Sequence, residues 1–365
     1  MPFILPTIRV RYPSASAQGL LSSLNYFCKA QSTVRIAIIS TPHLPTPPRG
    51  YGASERIAGI LAEGLQQRGH YVRLFACEGS TARVAECRSF PDTRLAQTFD
   101  QSELIHVEHA IREVADCDLI HNHCLAAGPA FAERVDLPFL TTLHYIHPLV
   151  QAYPRAPYVA ISDHQRQTLG ELNIAGRVYN GIDVDGLPLS ETHDDYLLFL
   201  GRFHPNKGAD LAIEVAQRLG RRLVLAAPSP PQDQQVWFDQ NVRPHLGGRI
   251  EWLGPIEGEE KARLIGRAAA TLIPLRWDEP FGLVIAESMA CGTPPIAFRR
   301  GAAPEIIVDG VTGFLVDDVE GMVTAVERAD EIAPATCRAR VENHFSTERM
   351  IDGYLTLFRR YLTRS

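Results

Sequence analysis

The sequence predicts an α/β protein of two consecutive domains, each a parallel sheet wrapped by helices. Short β-branched apolar runs alternate with amphipathic helical stretches along the chain. A turn-rich segment, VYNGIDVDGL (178–187), followed by HDD (193–195), separates two series of similar length. The length of 365 residues also exceeds what one hydrophobic core usually organises.

The first series begins with VRIAIIS (34–40), an apolar strand emptying into a loop rich in proline and glycine (Pro42, Pro45, Pro47, Pro48, Gly50, Gly52). From Ser54, Ile57, Ile60, Leu61 and Leu65 form one helical stripe, and Gly69 stops it. YVRLFAC (71–77) is the next strand, so the unit is β-loop-α-β and its strands are parallel. DLIHNH (118–123), PFLTTLH (138–144) and PYVAIS (157–162) repeat the pattern, and His106 and His109 lie on a predicted helix. The second series has strands at 196–202, 221–227, 249–254, 270–275, 294–298 and 313–316. Its helices fall at 208–219, 259–268, 281–290 and near 303–308. Met350, Tyr354, Leu357, Phe358 and Leu362 give 347–363 the spacing of an amphipathic helix.

Composition narrows the function. A 45% hydrophobic and 21% charged chain is globular, and a net charge of −6 with mixed signs argues against a nucleic-acid binder. Seven scattered cysteines without a CxxC pair read as reduced thiols, which predicts a cytoplasmic protein. No apolar run reaches the roughly 20 residues that span a bilayer, leaving only peripheral membrane contact open. Residues 1–32 carry Arg9, Arg11 and Lys29 but no acid. A transit peptide, an unstructured extension and a start codon placed too early each fit them.

Parallel sheets bind ligands beyond the carboxyl ends of their strands, so the informative residues should follow strands. Glu279-Pro280-Phe281-Gly282-Leu283 leads into a helix holding Glu287. That sets two carboxylates eight positions apart, near free backbone N–H groups that attract phosphate. Spacing alone fits exposed surface acids equally well. In GRFHPNKG (201–208), Arg202 offers a planar fork and Lys207 a point charge, both suited to a departing diphosphate. Alternation puts His121 and His123 on one strand face, with His144 and His147 after the next strand. A zinc site is the alternative there, but no HExxH or close Cys/His spacing supports it, and no metal site is predicted.

EPFGLVIAESMACGTPPIAF with GAAPEIIVDGVTGFLV, PPRGYGASERI, NGID and GRFHPNKG closely resemble the motifs of retaining glycosyltransferases of family 4. The similarity extends from Val34 to Tyr361 and is nearest the branch containing the avilamycin-biosynthesis enzyme. It implies the GT-B fold, two Rossmann-like domains facing across a deep cleft. It further implies that Glu287 binds the donor ribose and that Glu279 sits at the sugar. By the same resemblance, Arg202 and Lys207 neutralise the diphosphate, and Phe281, Gly282 and Leu283 bind phosphate and sugar hydroxyls. Gly50 and Gly52 approach the phosphates and acceptor, His144 faces the transferred sugar, and Asn180 lies at the cleft. The implied reaction retains anomeric configuration and requires no cofactor or divalent metal. Its donor is a nucleotide-diphosphate sugar, UDP favoured over GDP, and its acceptor hydroxyl is unidentified. Ala53 stands where many relatives have a second glycine. Ala227 and Pro228 replace a common glycine near the base, leaving base preference open. A sugar-nucleotide epimerase or phosphorylase on this fold, or a silent sugar-nucleotide binder, is the alternative.

The domain boundaries expected are an N-terminal extension at 1–32, an acceptor-side domain at 33–188 and a nucleotide-sugar domain at 189–345. A closing helix at 346–365 is expected to pack back on the first domain.

Overall fold

The computed structural model describes residues 33–90 and 98–363; the extension expected at 1–32 lies outside them. The first half runs β1 (Arg35–Ile39), α1 (Ala53–Gln67), β2 (Tyr71–Ala76), β3 (Glu86–Ser89), α2 (Phe99–Arg112), β4 (Leu119–Asn122), β5 (Phe139–Thr142), β6 (Tyr158–Ala160), α3 (Asp163–Thr168) and β7 (Ile174–Arg177). The second runs β8 (Tyr196–Leu200), α4 (Ala209–Leu219), β9 (Arg222–Ala226), α5 (Gln235–Asn241), β10 (Ile250–Gly254), α6 (Gly258–Arg267), β11 (Ala270–Ile273), α7 (Leu283–Ala290), β12 (Pro295–Phe298), α8 (Ala303–Ile306), β13 (Phe314–Val316) and α9 (Val319–Val326). Two helices, α10 (Pro334–His344) and α11 (Thr347–Leu362), close the chain.

The sheet orders are β3-β2-β1-β4-β5-β6-β7 and β10-β9-β8-β11-β12-β13. Their strand pairings are parallel. Strands covered on both faces need continuous apolar runs, and Ile36, Ile38 and Ile39 in β1 are fully buried, as are Leu197 and Leu198 in β8. Each sheet reverses its order once, at β1/β4 and at β8/β11, which opens a crevice at the carboxyl ends of those strands. This is the two-domain α/β architecture of the GT-B fold.

The chain then returns to the first half. Ile351, Tyr354, Leu357 and Phe358 of α11 share a core with Ile57, Leu61 and Leu65 of α1. A Cβ added to Gly64 would lie 2.1 Å from Ile351 Cδ1, so glycine sets how closely the two helices cross. The Tyr354 hydroxyl pairs with Thr142 Oγ1 at 2.8 Å, and Ser346 caps α11 by accepting from the Arg349 N–H.

Several elements differ from expectation. β3 (ECRS) and β7 (IAGR) lacked an apolar run because they are edge strands with exposed or half-buried faces. Helix α10 buries only Cys337 and Val341, so it left no stripe to read. Helix α7 begins at Leu283 rather than Phe281, because Gly282 takes the left-handed φ of 93° at its N-cap.

Candidate active site

The residues expected at the donor are held after the ends of β8 and β11. After β8 the chain passes through Arg202 and a short turn to Lys207. Gly208 follows with φ 75°, where a Cβ would meet the Pro274 carbonyl oxygen at 2.2 Å. Only glycine lets this turn lie so close to the end of β11. Lys207 Nζ donates to Glu279 Oε2 and sits 5.0 Å from the centre of the Trp277 ring. The Arg276 fork grips Asp210 of α4 at 2.6 and 2.8 Å, which fixes the segment leading to Glu279. From behind, Ala302 N donates to the Glu279 carbonyl at 3.0 Å. A Cβ on Gly301 would lie 2.5 Å from Glu279 backbone atoms.

Beyond Glu279, Phe281 is buried, its ring 6.1 Å from Tyr179 and 5.8 Å from Phe345. Phe281 therefore anchors the loop, and the helix start at Gly282 and Leu283 supplies the N–H groups that lack an intrahelical acceptor. Inside α7, Glu287 is 9% exposed and accepts from Lys261 Nζ at 2.6 Å. The two acids thus hold separate cations.

The first half closes over this arrangement. Gly52, with φ 145°, begins α1, and the Gly50 carbonyl accepts from Arg56 Nη2 at 2.6 Å. A Cβ on Gly50 would fall 2.0 Å from a Glu257 carboxylate oxygen, so this loop touches the donor half. The Arg202 guanidinium lies 5.5 Å from the Tyr51 ring, a second contact across the cleft.

His144 follows β5 and pairs through Nε2 with His123 Nδ1, after β4, at 2.8 Å. Their rings stack with centroids 5.0 Å apart. Behind them His121 Nε2 pairs with Thr142 Oγ1 at 2.7 Å. Burial pushes His144 down to about 4 and His121 to about 3, and it drives His123 well below the ordinary imidazole value. The trio is neutral at pH 7. Among the described residues, no group of three or more His, Cys, Asp or Glu is arranged to hold a metal ion. Asn180 is 4% exposed in the linker, and its Oδ1 has no hydrogen-bond partner among the described residues.

Sequence reasoning did not pick out Lys261, Glu257 or Glu305. Lys261 lies in a charge-rich helix where one more lysine carries no signal, and Glu257 and Glu305 act through contacts distant in sequence. His123 was visible by alternation, but its pairing with His144 was not.

Residues 54–185 match the family described as Glycosyltransferase Family 4, and residues 194–330 match Glycosyl transferases group 1. Over 306 residues the chain is 27% identical to a D-inositol 3-phosphate glycosyltransferase of Mycolicibacterium smegmatis, with 70% of each chain covered. A crystal structure of a glycosyltransferase involved in avilamycin A biosynthesis superposes with a TM-score of 0.70 at 25% identity, covering 91% of this chain and 99% of that one. The Anabaena protein HepE, solved in complex with UDP and glucose, shares the fold at 18% identity and a TM-score of 0.70, with 90% and 100% covered. With both halves matched, the chain belongs to the GT-B glycosyltransferases of the family 4 type.

Proposed function

We propose that the chain is a retaining transferase that moves a sugar from a nucleoside-diphosphate sugar to an acceptor hydroxyl. UDP is the favoured carrier, and GDP is the alternative. The observation that carries this reading is the Lys207–Glu279 pair beside the start of α7 at Gly282 and Leu283. A cation and free N–H groups there suit a diphosphate, while a carboxylate suits the sugar end of the same donor.

Charge explains the roles proposed for each residue. Negative charge grows on the leaving diphosphate, and Lys207, Arg202 and the α7 N–H groups offset it without requiring a metal ion. Positive charge grows on the sugar ring, where Glu279 stabilises it. A neutral His144 hydrogen-bonds the sugar without opposing that charge, which its lowered pKa ensures at neutral pH. Glu287, paired with Lys261 through Oε1, keeps its other oxygen for the ribose hydroxyls. Gly50 and Gly52 bring backbone toward the donor, and Asn180 offers its unpaired Oδ1 at the linker.

No helix among the described residues is long and apolar enough to cross a membrane. The six described cysteines are free thiols, in keeping with the cytoplasmic location we propose.

The test is slow donor hydrolysis in EDTA, followed by proton NMR before the released sugar mutarotates. With UDP-glucose as probe, α-glucose should appear first without added phosphate, and UDP should raise the melting temperature more than GDP or dTDP does. A β-anomer first, or activity abolished by EDTA, overturns the mechanism. A requirement for phosphate would favour a phosphorylase.

A further inference from the structure

Between the two halves sits one carboxylate that the donor chemistry does not use. Glu305, on α8 of the donor half, accepts from three groups of the first half and its linker. The Asp163 N–H reaches Oε2 at 2.8 Å and the His164 N–H reaches Oε1 at 2.6 Å, both at the start of α3. The Tyr179 hydroxyl donates to Oε2 at 2.8 Å. Bonds to an ionised acceptor are the strong kind, and three of them fix a carboxylate's position and its plane.

Each end of this link is braced. Arg340 of α10 donates to the Glu305 carbonyl through Nη2 at 2.8 Å, which holds α8 against the body of the donor half. Tyr179 packs between Phe281 and Phe345, with the Arg177 guanidinium 3.9 Å from its ring centre. On the other side, Asp163 makes ion pairs with Arg166 at 3.1 Å and Arg177 at 3.3 Å. A second, weaker link runs parallel, with His164 Nε2 3.7 Å from Asp278.

The link ends at the chemistry. Asp278 immediately precedes Glu279, and the turn that opens α8 supports Glu279 through the Ala302 bond and the close approach of Gly301. In the first half, Ser162 caps α3, and the Gln165 side chain donates to the Leu143 carbonyl at 2.8 Å, one residue before His144. Glu305 therefore connects the segment carrying Glu279 to the segment carrying His144. We infer that Glu305 is a positioning residue for transfer: its three-donor contact sets the first half over the donor half so that His144 and Glu279 address one sugar.

This inference rests on the proposed roles of His144 and Glu279, but its geometric part can be measured without them. Glu305→Gln keeps the size of the side chain yet turns an N–H donor toward at least one of the three donors. Tyr179→Phe removes one bond and keeps the ring. We expect Glu305→Gln to lower kcat for UDP-glucose hydrolysis about tenfold or more, as the loss of charge-assisted bonds implies. KM and the UDP-induced rise in melting temperature should stay within about twofold of wild type, because the proposed charged contacts to the nucleotide, Arg202, Lys207 and Glu287, all lie in one half. Tyr179→Phe should give a smaller loss of the same type. Small-angle scattering should report a larger radius of gyration for Glu305→Gln than for wild type. Unchanged kcat in Glu305→Gln, or kcat and UDP binding falling together, overturns the inference. So does a radius of gyration unchanged from wild type. If wild type lacks hydrolysis altogether, the roles of His144 and Glu279 fail, and the scattering comparison alone then decides whether Glu305 sets the domain arrangement.

Discussion

The two faces of the cleft use opposite chemistry. The second half, which we propose holds the donor, has its charges already paired, Lys207 with Glu279 and Lys261 with Glu287. The facing half presents a neutral His144 backed by the buried His123 and His121, all held uncharged by burial. A diphosphate brings fixed charge, so its site needs counter-charges, and pairing them with carboxylates keeps them in place before the ligand arrives. A sugar brings hydroxyls and a transient positive charge, so in the proposed reaction Glu279 serves that charge from one side while uncharged hydrogen-bonding groups on the other side avoid opposing it. On the proposed reading, charge is thus concentrated on the second half and withheld from the facing half.

The largest effect should come from the charged face. Lys207→Ala removes a cation from the diphosphate and leaves Glu279, about one-fifth exposed, without its partner. Turnover of UDP-glucose should fall by about 10²–10³, in the range seen when a single group that stabilises developing charge is lost. UDP affinity should fall as well, by about tenfold, because the ground-state diphosphate also uses this lysine. Steady-state hydrolysis and titration calorimetry separate the two losses. Wild-type turnover in this variant would break the comparison at its stronger side.

A smaller and differently shaped loss is expected across the cleft. His144→Ala should lower kcat by about ten- to a hundredfold while leaving UDP affinity unchanged, since its contact strengthens only as the sugar gains charge. His144→Gln, which keeps a neutral hydrogen-bonding group, should recover part of the rate. If alanine and glutamine behave alike and both lower the melting temperature sharply, the His123–His144 pair is structural and the neutral face has lost its proposed purpose.

The contrast between the faces also decides what was legible in the sequence. Strand β1 could be read because a buried parallel strand is a continuous apolar run, and α1 because its stripe recurs every three or four residues. The charged groups could at least be singled out: Arg202, Lys207 and Glu279 stand in loops that follow strands and Glu287 in the helix after one, in a spacing that has a chemical rationale. Partners were not. Glu279 with Lys207 spans 72 residues and Glu305 with His164 spans 141, and nothing local encodes either contact. The neutral face was least legible, because a histidine's role depends on its burial. Periodicity put His121 and His123 on one side of β4 but gave no hint that His123 reaches His144.

The last effect is one of pH, and it tests whether the neutral face lies entirely in one half. His43, His106 and His144 are lowered to about 4 and His121 to about 3, in each case by burial. All four lie in the first half. For a base with a depressed folded pKa, the unfolded chain takes up a proton near pH 6.5 while the folded chain does not, so stability is lost as pH falls from about 6.5 toward about 4. Glu103, in the same half, has the opposite sign. Burial raises its carboxyl to about 7, so the folded chain keeps a proton that the unfolded chain releases near pH 4.5, and stability falls as pH rises across that window. His123 and His70 of the same half are lowered as well, so between pH 7 and 5.5 six histidines oppose one carboxyl, and acidification should destabilise the first half by a few kcal/mol. The second half has His193, His204 and His344, also lowered by burial but with no shift as large, so hydrogen exchange, corrected for the intrinsic rate at each pH, should show β4 and β5 losing more protection at pH 5.5 than β8 and β11. Glu103→Gln removes the opposing contribution and should steepen the loss. Equal loss in both sheets, or loss confined to the donor half, would mean that the buried histidines do not set the acid limit of this fold and that the two faces differ only in their ligands.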